Sequence, residues 1–170
     1  FNLVDVKNPK AGLPLAELTA FAERIQPMGW HVEFLVHIDD YPDFKTLFQE
    51  FPTEIVVGHY GYYRPGCALD HPGFQGLVEL AESGRCWVKL TAPYRISAGE
   101  MPYADVDPFA ETLIARAPHR LLWGSDWPHV MVKKNIPDDG HLADVLARYA
   151  SGQELRQQIL VENPAKLYHF

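Results

Sequence analysis

Leu121-Leu122-Trp123-Gly124-Ser125-Asp126-Trp127-Pro128-His129 is the stretch that decides the fold. Three apolar residues run straight into Gly-Ser-Asp, and Trp-Pro then stops the element. A short continuous apolar run reads as a strand buried on both faces. Pro128 lacks an N–H and cannot extend a hydrogen-bonded ladder. Asp126 therefore falls at the carboxyl end of a buried parallel strand, where parallel α/β folds bind ligands and place chemistry. The plainer alternative is an Asp that only caps a turn. The flanking Trp127 and His129 favour a site.

Working outward, similar apolar runs recur at about 30-residue spacing, the size of a strand–helix unit. Expected strands are Phe1–Val6, His31–His37, Glu54–His59, Cys86–Thr91 and Arg120–Trp123. Pro9 to Pro14 reads as a loop. Helical spacing follows at Leu15, Leu18, Phe21, Ala22 and Ile25, ended by Pro27 and Gly29. Further helices are expected over Pro42–Phe51, over Pro72–Glu82, after Asp107-Pro108 (an N-cap and a first-turn proline) with Phe109, Leu113 and Ile114 buried, at Leu142, Val145, Leu146 and Tyr149, and at Leu155, Ile159 and Leu160. Asn163-Pro164 starts a final turn. Strand then helix, repeated, means an α/β fold with a parallel sheet and helices outside. No glycine-rich phosphate loop follows a strand, so a dinucleotide-binding fold has no support. The long loops, 60–71, 92–105 and 129–139, follow strands, as expected when function sits at strand carboxyl ends.

The chain of 170 residues is 47% hydrophobic and 12% aromatic, enough for one domain, 1–170, with a real core. A net charge of −7 argues against nucleic acid and anionic membrane as partners. The two cysteines, Cys67 and Cys86, form neither a metal cluster nor a disulfide framework, and a reducing, cytoplasmic setting fits them. No stretch is long and apolar enough to span a membrane. Five strands fall short of the eight of a closed barrel. The chain thus reads as N-terminally truncated, or as a piece that self-associates.

Four polar groups fall at expected strand ends: His37, His59, Arg95 and Asp126. In a barrel such positions converge on one pocket. Asp126 has the chemistry of a general base. Arg95, after Pro93 and Tyr94, could hold a carboxylate through two parallel hydrogen bonds, or lie on the surface. His59 is a site residue or a satisfied core histidine. Lys89 either faces the barrel interior or is paired. His71, His119, His141 and His169 fall in loops or near ends and read as solvated.

The Gly124-Ser125-Asp126-Trp127-Pro128-His129 run resembles the last-strand motif of the amidohydrolase superfamily. More narrowly, the chain is similar to the amidohydrolase-related group of 2-pyrone-4,6-dicarboxylate lactonase-like hydrolases. Gly29-Trp30-His31-Val32, Val56-Val57-Gly58-His59-Tyr60-Gly61, the segment Lys89–Ser97, Pro137-Asp138-Asp139-Gly140 and Asn163–Tyr168 carry the same resemblance, which covers essentially all residues. Gly58 stands where the group usually has Asp. The superfamily's His-x-His of strand one is absent, as are the group's arginines before strand four. The aromatic hydroxyl expected near strand five is replaced by Leu35, with His37 two residues on.

The resemblance implies the C-terminal part, about five βα units, of a (β/α)8 barrel. It implies a hydrolase in which water attacks a carboxylated lactone or related cyclic ester. Asp126 is then the base, His59 polarises the carbonyl, and Arg95, His37, Tyr94 and His129 contact or support the small-molecule carboxylated substrate. The cofactor expectation is none, or one divalent metal, zinc being the candidate, held by His37, His59 and Asp126. A metal-dependent decarboxylase on the same scaffold is the second reading. An inactive fragment or subunit completed by a partner is the third.

Overall fold

A computed structural model describes residues 1–5 and 14–170. Val6, the end of the first expected strand, and positions 9–13 of the expected loop lie outside the described residues. Among the described residues four short strands form the sheet: β1 (Val32–Phe34), β2 (Ile55–Val57), β3 (Cys86–Leu90) and β4 (Leu121–Trp123). They run in the order β1-β2-β3-β4, every neighbouring pair parallel. The strand expected at the start of the chain is reduced to a parallel bridge between Asn2 and Leu35. The Asn2 side chain explains this. Its Oδ1 accepts the amides of Val4 at 3.0 Å and Asp5 at 3.2 Å, a local turn that competes with the ladder.

The register sorts the side chains. Glu33 aligns with Val56 and Trp87, and Lys89 with Leu122. Alternation puts Val32, Phe34, Ile55, Val57, Cys86, Val88, Leu90 and Leu121 on the opposite face, in the main core under the helices. Val56, Trp87, Leu122 and Leu167 form a separate cluster on the inner face. Lys89 is both inward-facing and paired: its Nζ donates to the two carboxylate oxygens of Glu33 at 2.7 and 2.8 Å.

The helices are α1 (Leu15–Ile25), α2 (Phe44–Phe48), α3 (Pro72–Glu82), α4 (Asp107–Arg116), α5 (Asp139–Tyr149), α6 (Gln153–Gln157) and α7 (Asn163–Tyr168). Phe44 and Phe48 lie at the centre of an aromatic cluster with Phe34 and Phe51, with ring centroids 4.7–6.1 Å apart. Phe21, expected on the buried face of α1, is exposed and meets Phe1 edge-on. Ile114 is only partly buried. Asp107 does not cap α4; it is the first helical residue, and its carboxylate accepts from Arg148 at 2.5 Å. His71, expected to be solvated, caps α3, its Nδ1 accepting the Gly73 amide.

A π-turn, Gln158–Glu162, joins α6 to α7. Its wider hydrogen-bonding step shifts the helical phase, so Ile159 is buried while Leu160 turns outward. The final turn expected at Asn163 is a six-residue helix instead. Asn163 is buried there, its amide donating to the carbonyls of Pro118 and Leu121. The α7 helix thereby brings Leu167 onto the inner face of the sheet. A parallel sheet with helices outside and a second apolar face inside is a partial (β/α)8 barrel.

Candidate active site

Each of the last three strands ends in a backbone conformation that is uncommon without glycine. After β2, His59, Tyr60 and Tyr62 have φ of 53°, 56° and 46°; after β3, Ala92 has 53°; after β4, Asp126 and His129 have 70° and 57°. Such left-handed residues cost free energy and concentrate at functional sites. Gly61, at φ +92°, has no room for a side chain: a Cβ would lie 2.9 Å from Leu77 Cδ2 and 3.0 Å from Ile38 Cγ2. These turns hold His59, Tyr94, Arg95 and Asp126 above the end of the sheet.

Asp126 is the centre of the cluster. Its Oδ2 accepts from the Tyr94 hydroxyl at 2.6 Å and from Arg95 Nε at 2.8 Å. Its Oδ1 lies 3.7 Å from His59 Nε2. Burial alone would raise the Asp126 pKa, but the hydrogen bonds from Tyr94 and Arg95, with the neighbouring positive charge, hold it below the usual carboxylate value. Burial and the hydrogen bond to Asp126 push the Tyr94 pKa up, so the phenol stays a donor. Burial lowers the His59 pKa to about 4, with Arg95 and Lys89 opposing its protonation more weakly and Asp126 favouring it. At neutral pH the site thus holds an ionised carboxylate beside a neutral imidazole.

Thr91 holds the other side of that imidazole. Its Oγ1 accepts the His59 backbone amide at 3.3 Å and lies 2.7 Å from His59 Nδ1. The hydroxyl can accept the amide and donate its own proton to Nδ1, an arrangement that gives all three groups a partner. In that arrangement the ring proton sits on Nε2, on the Asp126 side.

Two cavities flank this cluster. One, of about 620 Å³, is lined by His59, Asp126, Thr91, Lys89, Glu33 and Leu35. The other, of about 670 Å³, is lined by Tyr62, Tyr94, Arg95, Tyr103, Lys134 and His141 among others. Tyr94 and Arg95 thus border the second cavity while holding Asp126 of the first. Part of the Arg95 fork is already committed, Nε to Asp126 and Nη2 to the Val130 carbonyl at 2.8 Å.

Of the residues singled out in the sequence, Asp126, His59, Tyr94, Arg95 and His129 come together. His129 is buried, with Nδ1 3.0 Å from the Tyr94 hydroxyl. His37 does not join them: its Nδ1 lies 2.6 Å from the Tyr62 carbonyl and its ring stacks on Tyr62. His119, His141 and His169 are exposed. Thr91 was missed, although it carries the same signal as Asp126, a polar residue closing a buried apolar run. Asp139, which approaches His129, sits in a loop-to-helix junction with no such signal.

Among the described residues, no three His, Cys, Asp or Glu side chains gather as a metal would require. His59 Nε2 and Asp126 Oδ1 could be two donors. The expected third, His37, has its Nδ1 on the Tyr62 carbonyl, which leaves Nε2 open, but it does not gather with the other two, and the Arg95 guanidinium already balances Asp126. The described residues therefore do not fit a metal by themselves, and a divalent ion would need donors from outside them.

Polar side chains converging at the strand carboxyl ends of a parallel βα sheet place this chain among barrel proteins that carry their chemistry on that face. The amidohydrolase family model matches residues 2–170, and the chain belongs to the amidohydrolase family. It is 37% identical over 164 residues to a 2-pyrone-4,6-dicarboxylate hydrolase of Comamonas testosteroni, covering 91% of this chain and 54% of the relative. It is 42% identical over 166 residues to a 4-sulfomuconolactone hydrolase of Hydrogenophaga intermedia, covering 95% and 55%. An apo crystal structure of an Agrobacterium tumefaciens protein superposes with a TM-score of 0.82 at 33% identity, covering 92% of this chain and 56% of that one. The chain spans about half the length of the curated relatives it matches. No helix among the described residues is long and apolar enough to cross a membrane.

Proposed function

We propose that the protein containing this chain hydrolyses a lactone that carries an anionic substituent. The observation that carries this is the pair formed by Asp126 Oδ1 and His59 Nε2, 3.7 Å apart and facing one cavity. An ionised carboxylate there can take a proton from water, while the neighbouring N–H donates to the carbonyl oxygen on which negative charge develops. Water adds to the carbonyl carbon and its proton passes to Asp126. The ring C–O bond then breaks, and the carboxyl returns that proton to the departing oxygen. The new carboxylic acid loses its own proton at neutral pH.

Both named relatives act on lactone-type compounds with anionic groups, which supports the substrate class. Lys134, His141 and the uncommitted N–H groups of Arg95 border the second cavity, a suitable place for such a group. The test is Asp126→Asn in the protein as its gene encodes it. Turnover of a carboxylated lactone should fall on the order of 10²-fold or more with the fold intact. Turnover within a few-fold of wild type would remove Asp126 from the mechanism.

A further inference from the structure

Two segments supply much of the lining of the second cavity. Val132, Ile136 and Asp138 come from the stretch that leads into α5, and Gly99, Met101 and Tyr103 from the loop after β3. That loop is anchored at Ile96, 1% exposed, and at Tyr103, 8% exposed, while 98–102 between them form an exposed tip. The hydrogen bonds of the tip are mostly local. The Ala98 amide donates to Asp105 Oδ2 at 2.7 Å, the Gly99 amide to Ser97 Oγ at 2.9 Å, and the Tyr103 amide to the Glu100 carbonyl at 2.8 Å. Among the described residues, one hydrogen bond ties the tip to a distant helix: Arg148 Nη2 donates to the Pro102 carbonyl at 2.9 Å.

Packing adds little to that tie. His141, Asp144, Val145 and Arg148 recur at i, i+3, i+4 and i+7, so they share one face of α5. This face, with Met101 and Pro102 of the tip, borders an open groove of about 340 Å³ rather than a filled contact. Atoms that line a gap lose the dispersion contacts of a packed interface. The guanidinium therefore spans the gap as a charge-assisted tether. Asp107 Oδ1, at the start of α4, accepts from the same Nη2 at 2.5 Å and aims it. The plainer alternative is an ion pair that only joins α4 to α5. With side chains 35% and 26% exposed, such a pair by itself contributes little.

We propose that Arg148 is a latch that fixes the tip of the β3 loop as a wall of the second cavity, and so a positioning residue for the substrate group bound there. It acts through Met101 and Tyr103, which line that cavity, and touches none of the reacting atoms. The latch stands on the geometry of the loop. Its effect on substrate rests on the proposed function, which places the anionic substituent in this cavity.

The latch is read without turnover, by amide hydrogen exchange in the substrate-free protein as its gene encodes it. Arg148→Met keeps an apolar stem and removes the donors. The Ala98, Gly99 and Tyr103 amides should then exchange on the order of ten-fold faster than in wild type, with the β3 amides unchanged. Asp107→Asn removes the charge of the ion pair but keeps an oxygen for Nη2, so the same amides should stay within about two-fold of wild type. Arg148→Gln, shorter by two bonds, serves in place of the Met variant if that one does not fold. Tip amides that exchange as in wild type when Arg148 is replaced, or that accelerate equally in Asp107→Asn, would overturn the latch and leave a plain α4–α5 ion pair. In kinetics with a carboxylated lactone, Arg148→Met should raise KM several-fold while kcat stays within about two-fold. A KM equal to wild type, or a loss in kcat alone, would overturn the positioning role. Lactone turnover that survives Asp126→Asn would defeat the proposed function and leave the exchange result standing.

Discussion

Arg95→Met isolates the electrostatic control of Asp126. Arg95 Nε is 2.8 Å from Asp126 Oδ2, and the two side chains are 16% and 21% exposed. Opposite charges centred about 4 Å apart interact by about 4 kcal/mol at an effective dielectric of about 20. Since one pKa unit is 1.36 kcal/mol, the ceiling on the shift is about 3 units. Solvent reaches the pair, and screening should cut the effect to about 1–2 units. The sign follows from the mechanism. The base works ionised, Asp126 is held below the usual carboxylate value, and loss of Arg95 raises it. Burial chiefly, and the Arg95 charge more weakly, lower the His59 pKa to about 4, so removing the guanidinium also raises it. Both effects move the acid limb of kcat/KM to higher pH. The assay is the pH profile of kcat/KM from about pH 3 to 8 for wild type and Arg95→Met. An acid limb that stays within about 0.3 units of wild type would refute the reasoning, given the ~1-unit minimum expected. At pH 7 the variant's Asp126 remains almost wholly ionised, so a large loss there, confined to substrates with a free carboxylate, would show that Arg95 also binds the substrate.

Three other outcomes follow from the structure. Glu54 accepts from Trp87 and Arg120, and although burial alone would raise its pKa, those hydrogen bonds lower it. Glu54→Gln should therefore cost about 1–2 kcal/mol in urea unfolding above pH ~5, with the gap to wild type closing as the pH falls through the depressed folded-state pKa. Gly61→Ala should destabilise the protein by about 1–3 kcal/mol and disturb the His59 turn, because φ is positive and Leu77 and Ile38 leave no space; a thermal midpoint equal to wild type would contradict this. Residues 1–170 produced alone leave the β4 edge unpaired within the described sheet and should self-associate, as read by sedimentation velocity; a monodisperse, active monomer would contradict it.

Much of this was legible from residue order because the signals are local. The run Leu121–Trp123 is buried whatever packs on it, and Pro128 limits it. The same reasoning placed β1, β2 and β3 inside their expected ranges. The first strand failed because the Asn2 side chain captures the amides that the ladder needed. Asp107 failed as a cap because Arg148, 41 residues on, offers its carboxylate a charge. Both are contests between a local preference and a competing partner, and composition does not reveal the winner.

What the sequence determined by itself is the parallel βα order and the presence of Asp126, His59, Tyr94 and Arg95 at strand ends, since periodicity and chain-breaking residues act within a few positions. Only the tertiary structure decided how those ends are used. It turned His37 to the Tyr62 carbonyl, set Thr91 against His59 Nδ1, and drew Tyr94, Arg95 and His129 around Asp126. Those pairings join residues about 25 to 35 positions apart, and their angles depend on backbone turns and sheet register that no single segment fixes.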